Sequence, residues 1–353
     1  MSMHITPGLG GIARRADFGL AAYSFPFTCG LALRDGESRP SEPLGAYELV
    51  ALALKWRLTR VEMPLNTLLP STSDADLDQF RENLERSSLS LTVDSGVIDE
   101  QTLGVLLPLA ARVGARVVRA MPSTVLEGAR AALHGGWAAH MAELCRRLER
   151  LRPSLEAHDL ILAIENHQDA SSDDLLTLCE AGGERVGITL DVANPLAVGE
   201  DPLAFARKVA PWVRNVHLKD YQVYHTESGY RLVRCALGEG MVPLHDLISL
   251  LRELAPEASH HIELAALQAR HIRLFEPSWW NGYPPCDVRE LLPVLRLVAR
   301  HARPPGEDWR TPWERREAAE EVIRYELEQF ERSVDYLYDA SSGLPKPTAP
   351  EQS

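Results

Sequence analysis

The sequence predicts a (β/α)8 TIM barrel, because short strand patterns and longer helical patterns alternate along most of the chain. Eight short runs rich in Val, Ile or Leu are bounded by turn residues, which is typical of buried parallel strands. They span residues 19–24, 58–63, 90–95, 116–121, 160–165, 186–191, 213–218 and 260–264. Eight segments with apolar residues at helical spacing follow these runs, at 44–57, 74–88, 99–113, 136–157, 172–182, 202–210, 243–254 and 288–302.

Two of the predicted helices have clear start signals. Ser171 and Asp174, three residues later, resemble a capping box, and Asp201 is followed by a proline at the first helical position. The last predicted helix contains Pro293, which should either kink the helix or delay its start.

The same patterns divide the chain into three parts. Residues 1–302 form the predicted catalytic barrel, which a chain of 353 residues can complete as a single domain. Residues 303–340 hold a connector at 303–313 and an amphipathic helix at 314–338, which should pack over the barrel or its bottom or contact another subunit. The Pro/Ser-rich residues 341–353 are predicted to be a disordered tail.

The composition argues against several classes of protein. A net charge of −13 would repel a phosphate backbone, and no dense Lys/Arg run appears, so we expect no nucleic-acid partner. No stretch reaches the roughly 18 uninterrupted apolar residues of a membrane span. The five scattered cysteines lack CxxC spacing, which argues against a disulfide framework or a structural zinc site. We therefore expect a soluble, cytoplasmic protein.

Four polar side chains close successive strand patterns. Glu165 follows LILAI, Asp191 follows VGITL, His217 follows VRNV and Glu263 follows HHI. Because the carboxyl ends of parallel strands share one mouth, we expect these side chains to converge. Three carboxylates and one imidazole suit Mn²⁺ best among the divalent ions considered, with Mg²⁺, Co²⁺ or Zn²⁺ as alternatives. Each residue taken alone has a simpler interpretation, as a helix cap or as a buried, hydrogen-bonded histidine.

Such a site would favour proton transfer next to a carbonyl. If a cation chelates the carbonyl and the adjacent hydroxyl oxygen of a keto-sugar, the neighbouring C–H becomes acidic. A carboxylate on each face of that carbon could then remove and return a proton.

These residues resemble the xylose-isomerase-like superfamily of metal-dependent TIM barrels, also called the sugar phosphate isomerase/epimerase family. The resemblance covers roughly residues 18–300. It rests on Ile164-Glu165-Asn166-His167, Leu190-Asp191 with Asn194, His217-Leu218-Lys219-Asp220, Gly238-Glu239-Gly240 and the strand-end Glu263. It implies one divalent ion bound by Glu165, Asp191, His217 and Glu263. In the ketose 3-epimerase branch, the counterparts of Glu165 and Glu263 also act as the acid/base pair.

One residue departs from the family pattern. Asn194 stands where the epimerase and endonuclease branches usually have a histidine. An amide cannot replace an imidazole as a metal ligand or base, so a trinuclear site of the endonuclease IV type would lack a ligand. This departure argues against a DNA-repair nuclease.

Other side chains near these phrases are candidates for contact with the substrate. His167 could act as a base, because an imidazole titrates in a useful range, or it could be an ordinary loop residue. Lys219 could donate to a substrate oxygen, and Asp220 could orient Lys219 or cap the following turn. Gly238 and Gly240 would let a loop backbone approach the site closely.

An aromatic-rich loop follows the eighth strand pattern. Trp279, Trp280 and Tyr283 could stack on the face of a sugar, and Arg270 could bind a carboxylate or a phosphate. Packing inside the protein is the alternative for each of them.

The leading hypothesis is a metal-dependent isomerase or epimerase of a keto-sugar or cyclitol that works through an enediolate. The alternative is a lyase or deglycosidase that eliminates the aglycone of a 3-keto-glycoside, with His167 as the base. A non-catalytic sugar-binding barrel is a third possibility. The expected partner is a small sugar, with a homo-oligomer or a partner subunit left open.

Overall fold

The computed structural model describes residues 17–340, and its closed barrel confirms the predicted fold class. The strands of this part of the chain are β1 (Gly19–Ala21), β2 (Arg60–Met63), β3 (Ser90–Val97), β4 (Val117–Met121), β5 (Ile161–Glu165), β6 (Val186–Asp191), β7 (Val213–Leu218), β8 (Asp220–Thr226), β9 (Gly229–Cys235), β10 (Ser259–Ile262) and β11 (Arg270–Ile272). The parallel barrel has the order β1, β10, β7, β6, β5, β4, β3, β2 and closes back on β1. Each predicted strand has a barrel strand as its counterpart.

The register of the barrel brings three strand ends to one level. Asp191 on β6 pairs with His217 on β7, and His217 pairs with His261 on β10. Glu165, the last residue of β5, pairs with Thr189, two residues before Asp191. Because the barrel strands are all parallel, these carboxyl ends open on the same mouth.

The α-helices of the same part of the chain are α1 (Ala46–Lys55), α2 (Leu65–Leu68), α3 (Asp74–Ser87), α4 (Glu100–Arg112), α5 (Gly136–Ala157), α6 (Ser172–Gly182), α7 (Pro202–Val209), α8 (Leu244–Leu254), α9 (Val288–His301) and α10 (Ala319–Ala340). The bounds of α5 and α6 are those predicted, and the other predicted barrel helices shift by one or two residues. Across residues 17–340, no helix is both long enough and apolar enough to cross a membrane.

The helix starts confirm the capping signals. The Ser171 hydroxyl accepts from the backbone N–H of Asp174, whose carboxylate accepts from the N–H of Ser171. Asp201 accepts from the N–H of Ala204 at 2.9 Å. Pro293 lies inside α9, which nevertheless begins at Val288, so the start of this helix is not delayed.

A second sheet lies at the mouth of the barrel and was not predicted. Strands β8, β9 and β11 are antiparallel, in the order β11, β9, β8. The Tyr230 hydroxyl on β9 donates to the Leu196 carbonyl oxygen at 2.6 Å, so the sheet lies against the loop that follows β6. The alternating residues on either side of Glu227 and Ser228 were the available signal for this hairpin.

The C-terminal helix packs on the flank of the barrel. Its Glu326 carboxylate accepts from the backbone N–H groups of Phe27 and Thr28, both at 2.9 Å, and the Tyr338 hydroxyl donates to the Trp56 carbonyl at the end of α1. The helix begins at Ala319 rather than at 314, because turns precede it. The predicted tail at 341–353 lies outside the described residues.

Candidate metal centre

The structure brings the four predicted ligands together at the mouth. Glu165 ends β5, Asp191 ends β6, His217 is the second-last residue of β7, and Glu263 follows β10. Glu165, Asp191 and His217 offer ligand atoms that all lie within 4.8 Å of one another. Glu263 joins them through Oε2, which is 3.9 Å from His217 Nδ1. All four side chains are buried.

The orientation of the His217 ring is fixed by residues on its Nε2 side. Its Nε2 lies 2.6 Å from Glu62 Oε1, and the Asn215 amide donates to the other oxygen of Glu62 at 2.7 Å. The opposite nitrogen, Nδ1, faces Glu165 Oε1 at 3.7 Å and has no hydrogen-bond partner among the described residues. A carboxylate that holds one imidazole nitrogen and leaves the other free is the usual support of a metal-binding histidine.

Asp191 is held equally firmly. Its Oδ1 accepts from the backbone N–H groups of Ala193 and Asn194 at 2.9 and 3.1 Å. The Asn166 side chain bonds both to the backbone N–H of Asp191 at 2.7 Å and to its carbonyl oxygen at 2.9 Å. One carboxylate oxygen is therefore fixed by the loop, and the other, Oδ2, points into the site.

Lys219 lies between two of the predicted ligands. Its Nζ is 2.5 Å from Asp191 Oδ2 and 2.5 Å from Glu263 Oε2. Burial opposes the charge of this ammonium group, but the two carboxylates hold its pKa above the usual range. The predicted contact of Lys219 with a substrate oxygen stays a prediction, since both of its contacts here are with the protein.

Three charged residues on the other side of the mouth were not predicted from the sequence. Arg119 on β4 forms a buried ion pair with Glu165 Oε2. Glu62 on β2 contacts His217, and Asp94 on β3 interacts electrostatically with both Glu62 and Arg119. The available signal was a charged residue inside an otherwise apolar strand pattern, as in the segments LTRVEM and RVVRAM.

The charges of the mouth leave room for a divalent cation. Among the described residues, the buried carboxyl groups here are those of Glu62, Asp94, Glu165, Asp191 and Glu263. Burial, and then the negative charge of Glu62, raise the pKa of Asp94 well above its usual range, which favours its protonated form. Glu62, Glu165, Asp191 and Glu263 then face the cations of Arg119 and Lys219. Burial opposes a charge on His217, but Glu62 and Glu165 hold the pKa of its imidazole well above the usual range, which favours a positive charge on the ring when no ion is bound. A divalent ion that displaced this proton at Nδ1 would neutralise the negative charge that remains.

His167 lies beside this centre. Its Nδ1 is buried and has no hydrogen-bond partner within residues 17–340. Burial lowers the pKa of this imidazole to about 4, although the charge of Glu165 opposes the shift. The side chain is therefore neutral at neutral pH and has a free ring nitrogen.

Asp220 organises a loop and does not orient Lys219. Its Oδ2 accepts from the backbone N–H groups of Gly238 and Gly240, both at 3.0 Å, and its Oδ1 accepts from those of Tyr221 and Val242. A Cβ atom on Gly240 would lie 2.2 Å from Asp220 Oδ1, so this position requires glycine. The turn-capping interpretation of Asp220 is the one that these contacts support.

The aromatic loop is mainly packed inside the protein. The Tyr283 ring lies 3.7 Å from the Arg130 guanidinium, which also stacks at 4.1 Å on Trp137. Trp279 is buried, and its ring lies directly against Gly128. The Trp280 indole N–H donates to the Leu274 carbonyl at 2.8 Å. These contacts favour packing over sugar stacking.

Comparisons with known proteins agree with this architecture. A family model described as xylose isomerase-like TIM barrel matches residues 50–264. The chain is 22% identical over 240 residues to 3-oxo-isoapionate decarboxylase of Pectobacterium atrosepticum, covering 66% of this chain and 80% of that protein. It is 23% identical over 184 residues to the uncharacterized protein YihM of Escherichia coli, covering 52% of this chain and 54% of YihM, about half its length.

A solved structure shows the same fold at low sequence identity. The crystal structure of D-psicose 3-epimerase with D-tagatose, from Clostridium cellulolyticum H10, matches with a TM-score of 0.54 and 11% identity. The match covers 80% of this chain and 98% of that one.

Proposed function

The chain belongs to the xylose isomerase-like TIM barrel family, and from this premise we propose that it is a divalent-metal-dependent isomerase or epimerase of a keto-sugar or cyclitol. The observation that carries the proposal is the orientation of His217. With Nε2 held by Glu62, its Nδ1 faces Glu165 Oε1 and Glu263 Oε2, at 3.7 and 3.9 Å. A buried nitrogen between two carboxylates suits a cation.

Glu165, Asp191, His217 and Glu263 would hold the ion, for which we propose Mn²⁺. Such an ion polarises a ketone and so makes the C–H bond beside it more acidic. Proton transfer then falls to the side chains of this chain.

Glu165 and Glu263 are the proposed acid/base pair. They come from β5 and β10, which β6 and β7 separate in the barrel, so the two carboxylates reach the site from different sides. One carboxylate takes the proton from the carbon beside the carbonyl, and the electron pair of that C–H bond forms the enediolate. The other carboxyl group, which must already carry a proton before this step, donates that proton to the opposite face of the carbon. Arg119, paired with Glu165, favours the ionised form of that carboxyl group, which can accept a proton.

A lyase is the second candidate, because His167 has an unpartnered Nδ1 within the described residues. In a 3-keto-glycoside, His167 would take the proton at C2, and the electron pair would expel the aglycone from C1. A relative named a decarboxylase also favours the lyase class, since loss of CO₂ from a 3-oxo acid likewise leaves an enolate.

The experiment is a screen of ketoses, inosose-type cyclitols and 3-keto-glucosides with Mn²⁺-loaded protein in D₂O. We expect deuterium beside the carbonyl of a product whose carbon skeleton is unchanged. Release of an aglycone would instead support the lyase. An isomerised product that contains no deuterium would contradict the proton-transfer epimerase and favour a hydride shift.

His167→Ala separates the two candidates once a substrate is known. In the epimerase, the variant should keep a measurable fraction of the activity, because Glu165 and Glu263 transfer the proton. In the lyase, it should lose most of the roughly 10²- to 10⁴-fold that a general base contributes. Metal content must be equal in both proteins for the comparison to count.

A further inference from the structure

One face of the sheet at the mouth lies towards the metal centre. The apolar and aromatic side chains buried there are those of Tyr221, Val223, Tyr230, Leu232 and Ile272. The Tyr221 hydroxyl donates to Asn194 Oδ1 at 3.2 Å, and the backbone N–H of Asn194 donates to the ligand carboxylate of Asp191. One hydrogen-bonded chain thus connects this face to the centre.

Two arginines interrupt this face. Arg270 on β11 pairs with Leu232 on β9, and Arg234 lies two residues after Leu232, so both arginines project from the same side of the sheet. Arg234 also pairs with Tyr221 on β8. Arg234 is 4% exposed, and the Arg270 side chain is 11% exposed. Arginine is seldom buried to this degree unless its charge is paired.

The protein supplies few partners for these two cations. Arg234 donates through one terminal nitrogen to the Gln268 carbonyl at 2.7 Å, and Arg270 lies 3.7 Å from Glu127 Oε1. In the described part of the chain, the Nε of each arginine is buried without a hydrogen-bond partner. Among these contacts the only carboxylate is that of Glu127, which is half-buried and lies near Arg270.

The electrostatic interactions of Arg234 and Arg270 also indicate that they lie close to each other and to the mouth. Burial, and then repulsion by Arg234, lower the pKa of Arg270 to about 10. The charge of Arg234 also acts on Lys219, and the charge of Arg270 acts on His167. The two arginines are therefore neighbours of each other and of the catalytic mouth.

We infer that Arg234 and Arg270 bind an anionic group of the substrate, a carboxylate or a phosphate, so that the enzyme acts on an acidic keto-sugar. This inference rests on the proposed function, because it names the class of substrate for that site. An oxyanion can accept from both guanidinium groups at once and can balance the positive charge that Glu127 leaves. A neutral sugar would leave the two buried cations in repulsion.

The test is calorimetric titration of the Mn²⁺-loaded protein with D-fructose, 5-keto-D-gluconate and D-fructose 6-phosphate. We expect at least one acidic probe to bind roughly tenfold or more tightly than D-fructose, and the tighter of the two acids identifies the group. Arg234→Gln and Arg270→Gln should each lower the binding affinity for that acid by roughly 10- to 100-fold. The affinity for D-fructose should change little. Metal content should not change.

Arg231→Gln is the matched control. Arg231 lies on the same strand, but its side chain points to the other face and stacks on Trp309 at 3.7 Å. This variant should keep the full preference for the acid. Equal affinities of the wild-type protein for the three probes would overturn the inference, and so would Gln variants that keep the preference.

Arg234→Lys and Arg270→Lys serve if the Gln variants do not fold. They keep the charge but lose the planar donor geometry. Their preference for the acid over D-fructose should therefore lie between that of the wild-type protein and no preference. Lysine variants that keep the full preference would count against the inference.

Titration of the metal-free protein with inorganic phosphate separates this inference from the proposed function. Phosphate binding that depends on Arg234 and Arg270 would support the anion site even if the protein bound no Mn²⁺, in which case only the proposed function would fail. Normal Mn²⁺ binding without any dependence of acid binding on the arginines would overturn the anion site alone.

Discussion

The two halves of the barrel contribute different chemistry to the same mouth. The four predicted ligands lie at or next to the carboxyl ends of β5, β6, β7 and β10. Strands β2, β3 and β4 contribute Glu62, which is the second-last residue of β2, and Asp94 and Arg119, which lie further inside their strands. One half offers atoms that can bind a cation, and the other half holds two of the ligands, His217 and Glu165, in place.

The difference between the two halves shows how buried ligand residues can be stabilised and oriented by charged neighbours. His217 has a defined orientation because Glu62 holds its Nε2, and Glu165 is balanced by Arg119. Buried carboxylates without such partners would be costly in free energy. The β2 to β4 half therefore orients His217 and balances Glu165, whereas Asp191 is held by Asn166 and by the loop that follows β6.

Loss of a ligand should have the largest effect. His217→Ala and Asp191→Ala should each abolish stoichiometric metal binding and turnover, because each removes one of the few donors that face the centre. Metal analysis after dialysis against a weak chelator measures this. His245→Ala, at an exposed histidine, is the control and should retain full metal content. Retention of metal by both site variants would refute the ligand assignment.

Removal of Arg119, the ion-pair partner of Glu165, should have the second-largest effect. Arg119→Gln leaves a buried carboxylate without its ion-pair partner, which should lower the free energy of unfolding by about 3–5 kcal/mol in metal-free protein. Saturating Mn²⁺ should reduce that loss, because the ion supplies part of the missing charge. Thermal melts with and without Mn²⁺ measure both values. Arg60→Gln breaks an ion pair with an exposed partner, Asp17, and should cost about 0–1 kcal/mol.

Loss of the group behind His217 should weaken metal binding without abolishing it. Glu62→Gln keeps the shape of the side chain but removes the charge that orients the imidazole, and we expect roughly 10- to 100-fold lower metal affinity. Calorimetric titration with Mn²⁺ measures the change, with exposed Glu253→Gln as the control. Unchanged affinity would mean that the β2 to β4 half does not orient the ligand.

The smallest effect should come from Asp220, which lies in the same sequence phrase as His217. Asp220→Asn loses acceptors for backbone N–H groups of the loop that contains Gly238 and Gly240, so we expect a stability loss of about 1–3 kcal/mol. Metal content after dialysis should remain that of the wild type. A variant that folds but loses its metal would show that the phrase acts as one metal-binding unit.

The sequence predicted the β5 to β10 half of the mouth better than the β2 to β4 half, for a physical reason. A polar residue at the end of an apolar run is visible in one dimension, as for Glu165 and Asp191. Glu62 and Arg119 lie inside short runs, and their partners are distant in the chain; Glu62 and His217 are 155 residues apart. Only the closed barrel brings such pairs together.

The second sheet was missed for a different reason. The predicted strand ended at residue 218, and a turn was one of the two predictions for the residues after Asp220, whereas β8 begins at Asp220 and leads into the hairpin. The two arginines on its buried face could not be assigned to the mouth without that sheet. Arg270 was a candidate for anion binding from its type alone, and Arg234 was not considered.

Anomalous diffraction from crystals of the Mn²⁺-loaded protein tests the central claim most directly. We expect one manganese peak per chain, in coordination contact with Glu165, Asp191, Glu263 and the Nδ1 atom of His217, while Nε2 remains hydrogen-bonded to Glu62. A peak elsewhere, no peak at this mouth, or coordination through Nε2 would contradict it.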